Sequence, residues 1–205
     1  MKPLYFGPFV AQFQVDESIV KRLRIDGKKT KESHNRKLAG HLNNQFRYPI
    51  ETANWFYEAV GDLFNAYRIA HCEFHGFPLK QMQFKYQSLW VNYMQAGDFN
   101  PPHTHDGDLS FVLFLNVPEK LKEEAAKFEG TASRPGQILF NYGESSRTRQ
   151  WATVGRAITP STGMLIIFPA QMQHWVCPFK SRVERVSVSG NLTIEYKEPI
   201  SGGYF

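Results

Sequence analysis

WVNYMQAGDFNPPHTHDGDLSFVLFLN, residues 90–116, is two aromatic and β-branched runs joined by a turn of Gly, Asn, Asp and Pro that carries two histidines. Short runs of this composition bounded by turn residues read as strands. Outward from it the same pattern recurs: FKYQSLWVNYM (84–94), LSFVLFLNV (109–117), QILFNY (137–142), GMLIIFP (163–169) and RVSVSGNLTI (185–194). The first third differs. Asp16 can cap a short helix carrying Ile19, Val20 and Leu23, and Thr52 can cap a longer one in which Phe56, Ala59, Leu63 and Tyr67 recur at helical spacing. These aromatics read as core. A charged segment, 119–127, between Pro118 and Gly130, reads as a surface helix inserted between strands. The expectation is a mainly β domain with N-terminal helices: a jelly roll over 84–195, buttressed by helices within 1–80, the whole forming one domain over 1–205.

Composition narrows the classes. Seventeen Phe, nine Tyr and four Trp fill a β-rich core, while twelve Pro and fifteen Gly supply turns. The excess of 24 basic over 19 acidic residues comes partly from one run, KRLRIDGKKTK at 21–31, which reads as solvated basic surface rather than a nucleic-acid site. Cys72 and Cys177 make no disulfide framework, and MKPLYFGPFV at the start has no signal-like apolar run. A cytoplasmic setting is expected. No stretch reaches the ~18 apolar residues of a membrane span.

His103 and His105 are two apart, so on a continuing strand both point to one face. The turn PAQMQH after the apolar strand at 164–168 brings His174 to where the chain can re-enter the same opening. Three neutral imidazoles with open positions suit Fe, Zn, Cu or Ni in a catalytic rather than a structural site. Arg185 opens the strand RVSVSGN with Ser187 on the same face, a guanidinium fork and a hydroxyl suited to a small dicarboxylate. Arg182 reads as an ordinary surface arginine.

The run 90–116, the PAQMQH turn and the RVSVSGN strand resemble the Fe(II)- and 2-oxoglutarate-dependent oxygenases. The prolyl-hydroxylase-like branch and short oxygenase-like proteins of bacteria and bacteriophages are the most similar. The resemblance spans about residues 84–195 and implies a double-stranded β-helix (jelly roll, cupin-like), Fe(II) as metal, 2-oxoglutarate and O2 as co-substrates, and oxidation of a small-molecule or peptidyl substrate, by default its hydroxylation. For a phage protein the compartment would be the host cytoplasm. The resemblance carries Tyr93, Gly97 and His103 onto the first ligand's strand and turn, and His174, Arg185 and Ser187 onto the distal histidine and the Arg-x-Ser of the 2-oxoglutarate anchor. Tyr93 then becomes a candidate hydrogen-bond partner for 2-oxoglutarate, with a plain core tyrosine as the alternative.

One position departs from the pattern. The family motif is His-x-Asp, whereas two residues after His103 stands His105. Strand parity favours His105 as third ligand; Asp106, Asp108 or water are the alternatives. Three histidines also serve cupin enzymes that use no 2-oxoglutarate, a rival that Arg185 and Ser187 argue against. A second rival is a non-catalytic jelly-roll binding protein. His71 and His75, flanking Cys72 near a helix end, lack a second ligand pair for zinc. His34 and His41 lie in a polar segment, SHNRKLAGHLNNQF, that can border the pocket.

Overall fold

The computed structural model describes residues 7–143 and 155–197; residues 1–6 of the N-terminal reading lie outside them. The chain begins with β1 (Ala11–Gln14) and α1 (Glu17–Lys29), then β2 (Glu32–Ser33), a 3-10 turn (Asn35–Lys37) and β3 (Asn44–Arg47). Two helices follow, α2 (Ile50–Ala59) and α3 (Gly61–His75), and then β4 (Met82–Met94), β5 (Asn100–His103), β6 (Leu109–Asn116) and α4 (Glu119–Ala126). The remaining strands are β7 (Ile138–Asn141), β8 (Gly155–Ile158), β9 (Met164–Pro169), β10 (Gln173–Val176) and β11 (Arg185–Tyr196).

The strands form two antiparallel sheets, β1-β9-β6-β11-β4-β3-β2 and β5-β10-β7-β8. The larger sheet is covered on both faces, which explains why β6 and β9 read as unbroken apolar runs rather than as alternating ones. On one face Phe111, Leu113, Leu165, Ile167 and Val188 meet Leu23, Phe56 and Phe64 of the helices. On the other, Phe114, Ile166 and Phe168 meet Phe140 and Val176 of the smaller sheet. The Phe111 ring lies 5.7 Å from that of Phe56 and 5.5 Å from that of Phe64, centroid to centroid. Full burial of one such side chain contributes about 1.5–3 kcal/mol, so this seam fixes the helical layer to the sheet. Tyr57 closes it by donating its hydroxyl to Ser88 O at 2.8 Å, across Gly190.

Several local expectations hold. Asp16 caps α1, its carboxylate accepting from Ser18 N at 2.8 Å, and the charged segment before Gly130 is α4. Thr52 is not a cap: α2 starts at Ile50, and the residue at its N-cap is Pro49, extended at φ −57°, ψ 152° and without a capping side chain. The single long helix is also two, because Val60 leaves helical geometry at φ −114°, ψ 9°. The buried face is therefore Ala53, Phe56, Tyr57, Val60, Phe64 and Tyr67, and Ala59 is exposed. No helix among the described residues is long and apolar enough to cross a membrane.

Candidate metal centre and anion pocket

β5 and β10 pair antiparallel with His103 directly opposite His174. This register places two imidazoles side by side, with ring centroids 4.3 Å apart. His105 joins them at 4.9 Å from His103 and 5.0 Å from His174. One ligand nitrogen from each of the three lies within 4.8 Å of the others. β5 ends at His103, so strand parity is not what turns His105 inward. The loop is held instead by His105 N donating to Ala170 O at 2.9 Å and Ala170 N donating to Asp108 O at 2.9 Å.

Hydrogen bonds fix the tautomers of two rings. His103 Nδ1 lies 2.7 Å from Pro101 O, and His174 Nδ1 lies 3.0 Å from Met172 O. A carbonyl oxygen can only accept, so both Nδ1 atoms carry the proton and each Nε2 keeps a free lone pair, as a metal ligand needs. Burial holds all three rings below the usual histidine range. His174 falls to about 3, by burial first and then by the nearness of His103, and His105 to about 4 for the same two reasons. His103 is lowered by burial against the opposing pull of its backbone bonds. All three are neutral donors at neutral pH.

The two aspartates stand apart from this cluster. Asp106 is exposed. Asp108 accepts from Ile194 N at 2.6 Å through Oδ2. Neither belongs to the group of convergent ligand atoms found among the described residues.

β11 begins at Arg185 and lies between β4 and β6, so Arg185 and Ser187 face the space between the sheets. Both line the cavity that the three histidines border. Arg185 is 3% exposed. Its Nη1 donates to Gly136 O at 3.0 Å, its Nε has no partner, and its guanidinium carbon lies 5.4 Å from the centre of the Phe114 ring. Burial lowers its pKa to about 10, which leaves it charged at neutral pH. Among the described residues no carboxylate forms an ion pair with it. A buried guanidinium without a counter-ion is costly, so the cavity is built to receive an anion. Arg182 is exposed, as expected.

Tyr93 takes the alternative place, that of a core tyrosine. Odd positions at this end of β4 face the helices, and its ring packs against Phe46, with its hydroxyl beside Gly27 of α1. It does not line the cavity. Asn92, its neighbour on the other face, does, and is paired in register with Ser187. Asn92 Oδ1 accepts from Gln45 Nε2 at 2.8 Å, while the Gln45 Oε1 and Asn100 Oδ1 atoms are buried without partners beside the cavity. An amide inside the apolar run WVNYM is the available sequence signal for Asn92; nothing local marks Gln45.

The polar segment after β2 does border the pocket: Leu38, Ala39, Gly40 and Leu42 line it. His41 turns away to stack on Phe99, centroids 4.6 Å apart. The rings of His71 and His75 lie 4.6 Å apart on α3, and no third ligand joins them among the described residues.

Comparison with solved structures supports the fold. The chain is similar to a prolyl-4-hydroxylase from Pseudomonas putida, at 15% identity and a TM-score of 0.53, over 90% of this chain and 91% of that one. It is also similar to an oxidoreductase of the 2OG-Fe(II) oxygenase family from Burkholderia pseudomallei, at 12% identity and a TM-score of 0.59, over 90% and 84%. A third is the viral collagen prolyl hydroxylase of Paramecium Bursaria Chlorella virus-1 in a 2OG complex, at 13% identity and 0.54, over 93% and 97%. Comparison with curated proteins gives no match. The fold is the double-stranded β-helix of these oxygenases. A family model described as "Putative 2OG-Fe(II) oxygenase" matches residues 88–191, the segment that carries all three histidines, Arg185 and Ser187, and the chain belongs to that family.

Proposed function

We propose that His103, His105 and His174 hold the Fe(II) of this 2-oxoglutarate-dependent oxygenase, and that Arg185 and Ser187 hold the far carboxylate of 2-oxoglutarate. The observation that carries this reading is the unpaired, buried Arg185 in the cavity that the three imidazoles border. When bound, Fe(II) and 2-oxoglutarate supply O2 activation coupled to decarboxylation to succinate and carbon dioxide, with oxidation of a substrate C–H, by default its hydroxylation.

The chain's own residues supply position and a dry surround. The Nδ1 bonds to Pro101 O and Met172 O orient the His103 and His174 rings and hold their protons away from the ligand face. Arg185 is itself held by Gly136 O, so its fork meets a carboxylate with little further ordering. Phe114, Phe168 and Val176 line the cavity and keep water from it, which strengthens the charge contact.

The test is iron and 2-oxoglutarate binding on one preparation. One Fe(II) per chain, with 2-oxoglutarate binding that depends on Arg185, supports the reading. Metal binding with no affinity for 2-oxoglutarate would favour a three-histidine cupin chemistry instead.

A further inference from the structure

A second cavity, of about 380 Å³, opens beside the first. Leu38, Trp90 and His105 line both, so these three side chains form the boundary between the anion pocket and this outer cleft. The volume is within the range of small-molecule sites. Its walls are polar: Gln87, Gln171, Asn191, Ser88 and Thr104 line it, with the edge of the largely buried Trp90 indole, 4% exposed, at its inner end.

Its charge is uneven. Lys37 and Arg47 line the cleft against one carboxylate, Asp106. Among the described residues no ion pair holds Lys37, and Arg47 reaches only Glu32, at 3.6 Å with both side chains substantially exposed. Such a contact contributes little and yields readily to a better anion. His34 lines the same cleft with its ring 5.6 Å from that of Trp90. Burial first, then Lys37 and Arg47, lower its pKa, in keeping with a positive field at this spot.

Resting on the oxygenase reading above, we propose that this outer cleft seats the primary substrate and selects small polar molecules bearing one anionic group, carboxylate or phosphate. Lys37 and Arg47 hold that group, the amide and hydroxyl walls bond the polar body of the molecule, and the carbon to be oxidised points toward His105, past the Trp90 edge. An apolar substrate gains nothing from amide and hydroxyl walls, and a neutral one leaves both cations unused.

The test uses the full chain with Zn(II) in place of iron and 2-oxoglutarate present. The Trp90 indole N–H signal, assigned with Trp90→Phe, is followed by NMR during titration with glucose, gluconate or glucose 6-phosphate. One scaffold is thus offered neutral, as carboxylate and as phosphate, and the stronger of the two anions names the source. At least one anion should give a saturable shift with about tenfold or greater affinity over glucose, the effect of a charge-assisted contact. Lys37→Gln with Arg47→Gln should remove that advantage, each single change should remove part of it, and Asp106→Asn should increase it. Equal affinity for glucose, an unchanged anion affinity in the double variant, or no saturable shift with either anion at millimolar concentration would overturn the proposal. Repeating the titration without metal or 2-oxoglutarate separates its failure from that of the oxygenase reading, because the cleft contacts involve neither iron nor Arg185.

Discussion

His103 and His174 are cross-strand partners on β5 and β10, and each ring bonds through Nδ1 to the carbonyl two residues before it. The pairing register therefore fixes two donor nitrogens before any metal arrives. His174→Ala should abolish iron binding, since losing one of three strong ligands leaves too few donors to compete with water. Metal analysis of the purified variant checks this, and full iron occupancy would remove the site.

Arg185→Ala should weaken 2-oxoglutarate binding by about 10- to 100-fold while iron stays bound, because a charge-assisted bidentate contact contributes about 1.5–3 kcal/mol. Arg185→Lys should recover only part, a point charge lacking the planar fork. Calorimetric titration distinguishes the three proteins. Equal affinities would place the carboxylate elsewhere.

Acid should destabilise the metal-free protein through its buried histidines. Their folded pKa values lie below the unfolded value of 6.5, so between 6.5 and about 3 the unfolded chain binds protons that the folded chain does not. Stability is then present above pH 6.5 and lost as pH falls. Denaturant melts of the chelator-treated protein should show this, and His174→Gln should flatten the pH slope. An unaltered slope would mean that His174 does not titrate as its burial implies.

Gly190 allows the helical layer to approach β11. A Cβ there would lie 2.6 Å from Ser88 O, 2.6 Å from the Tyr57 hydroxyl and 2.7 Å from the Phe111 ring. Gly190→Ala should cost about 1–3 kcal/mol by overpacking, read as a lower denaturation midpoint. Wild-type stability would show that α2 can shift freely on the sheet.

The strands and the two histidine segments are legible in the sequence because burial on both faces writes continuous apolar runs, and because turn residues bound them. Arg185 and Ser187 are legible by period-two alternation from a well-marked strand. The same alternation, applied from Arg185↔Met94 and Ser187↔Asn92, sends Tyr93 to the helical face; that step needs the cross-strand register, which the sequence does not print. Gln45 reaches the anion pocket and Arg47 the outer cleft from β3, and only tertiary pairing of β3 with β4 brings them there, while Lys37 comes from the 3-10 turn before β3. The break at Val60 is marked only by Gly61 behind it, and the helical spacing of Phe56, Leu63 and Tyr67 reads through both.

His105 carries the central claim, since it stands where a carboxylate is the rule. Iron affinity of His105→Ala, His105→Asp, Asp106→Ala and Asp108→Ala measures it directly. His105→Ala should lose iron strongly, His105→Asp should retain it because a carboxylate oxygen is an acceptable donor for Fe(II), and both aspartate variants should bind as the wild type does. Loss of iron in Asp106→Ala or Asp108→Ala, with His105→Ala falling only by the ~10- to 100-fold of a supporting residue, would contradict the three-histidine centre.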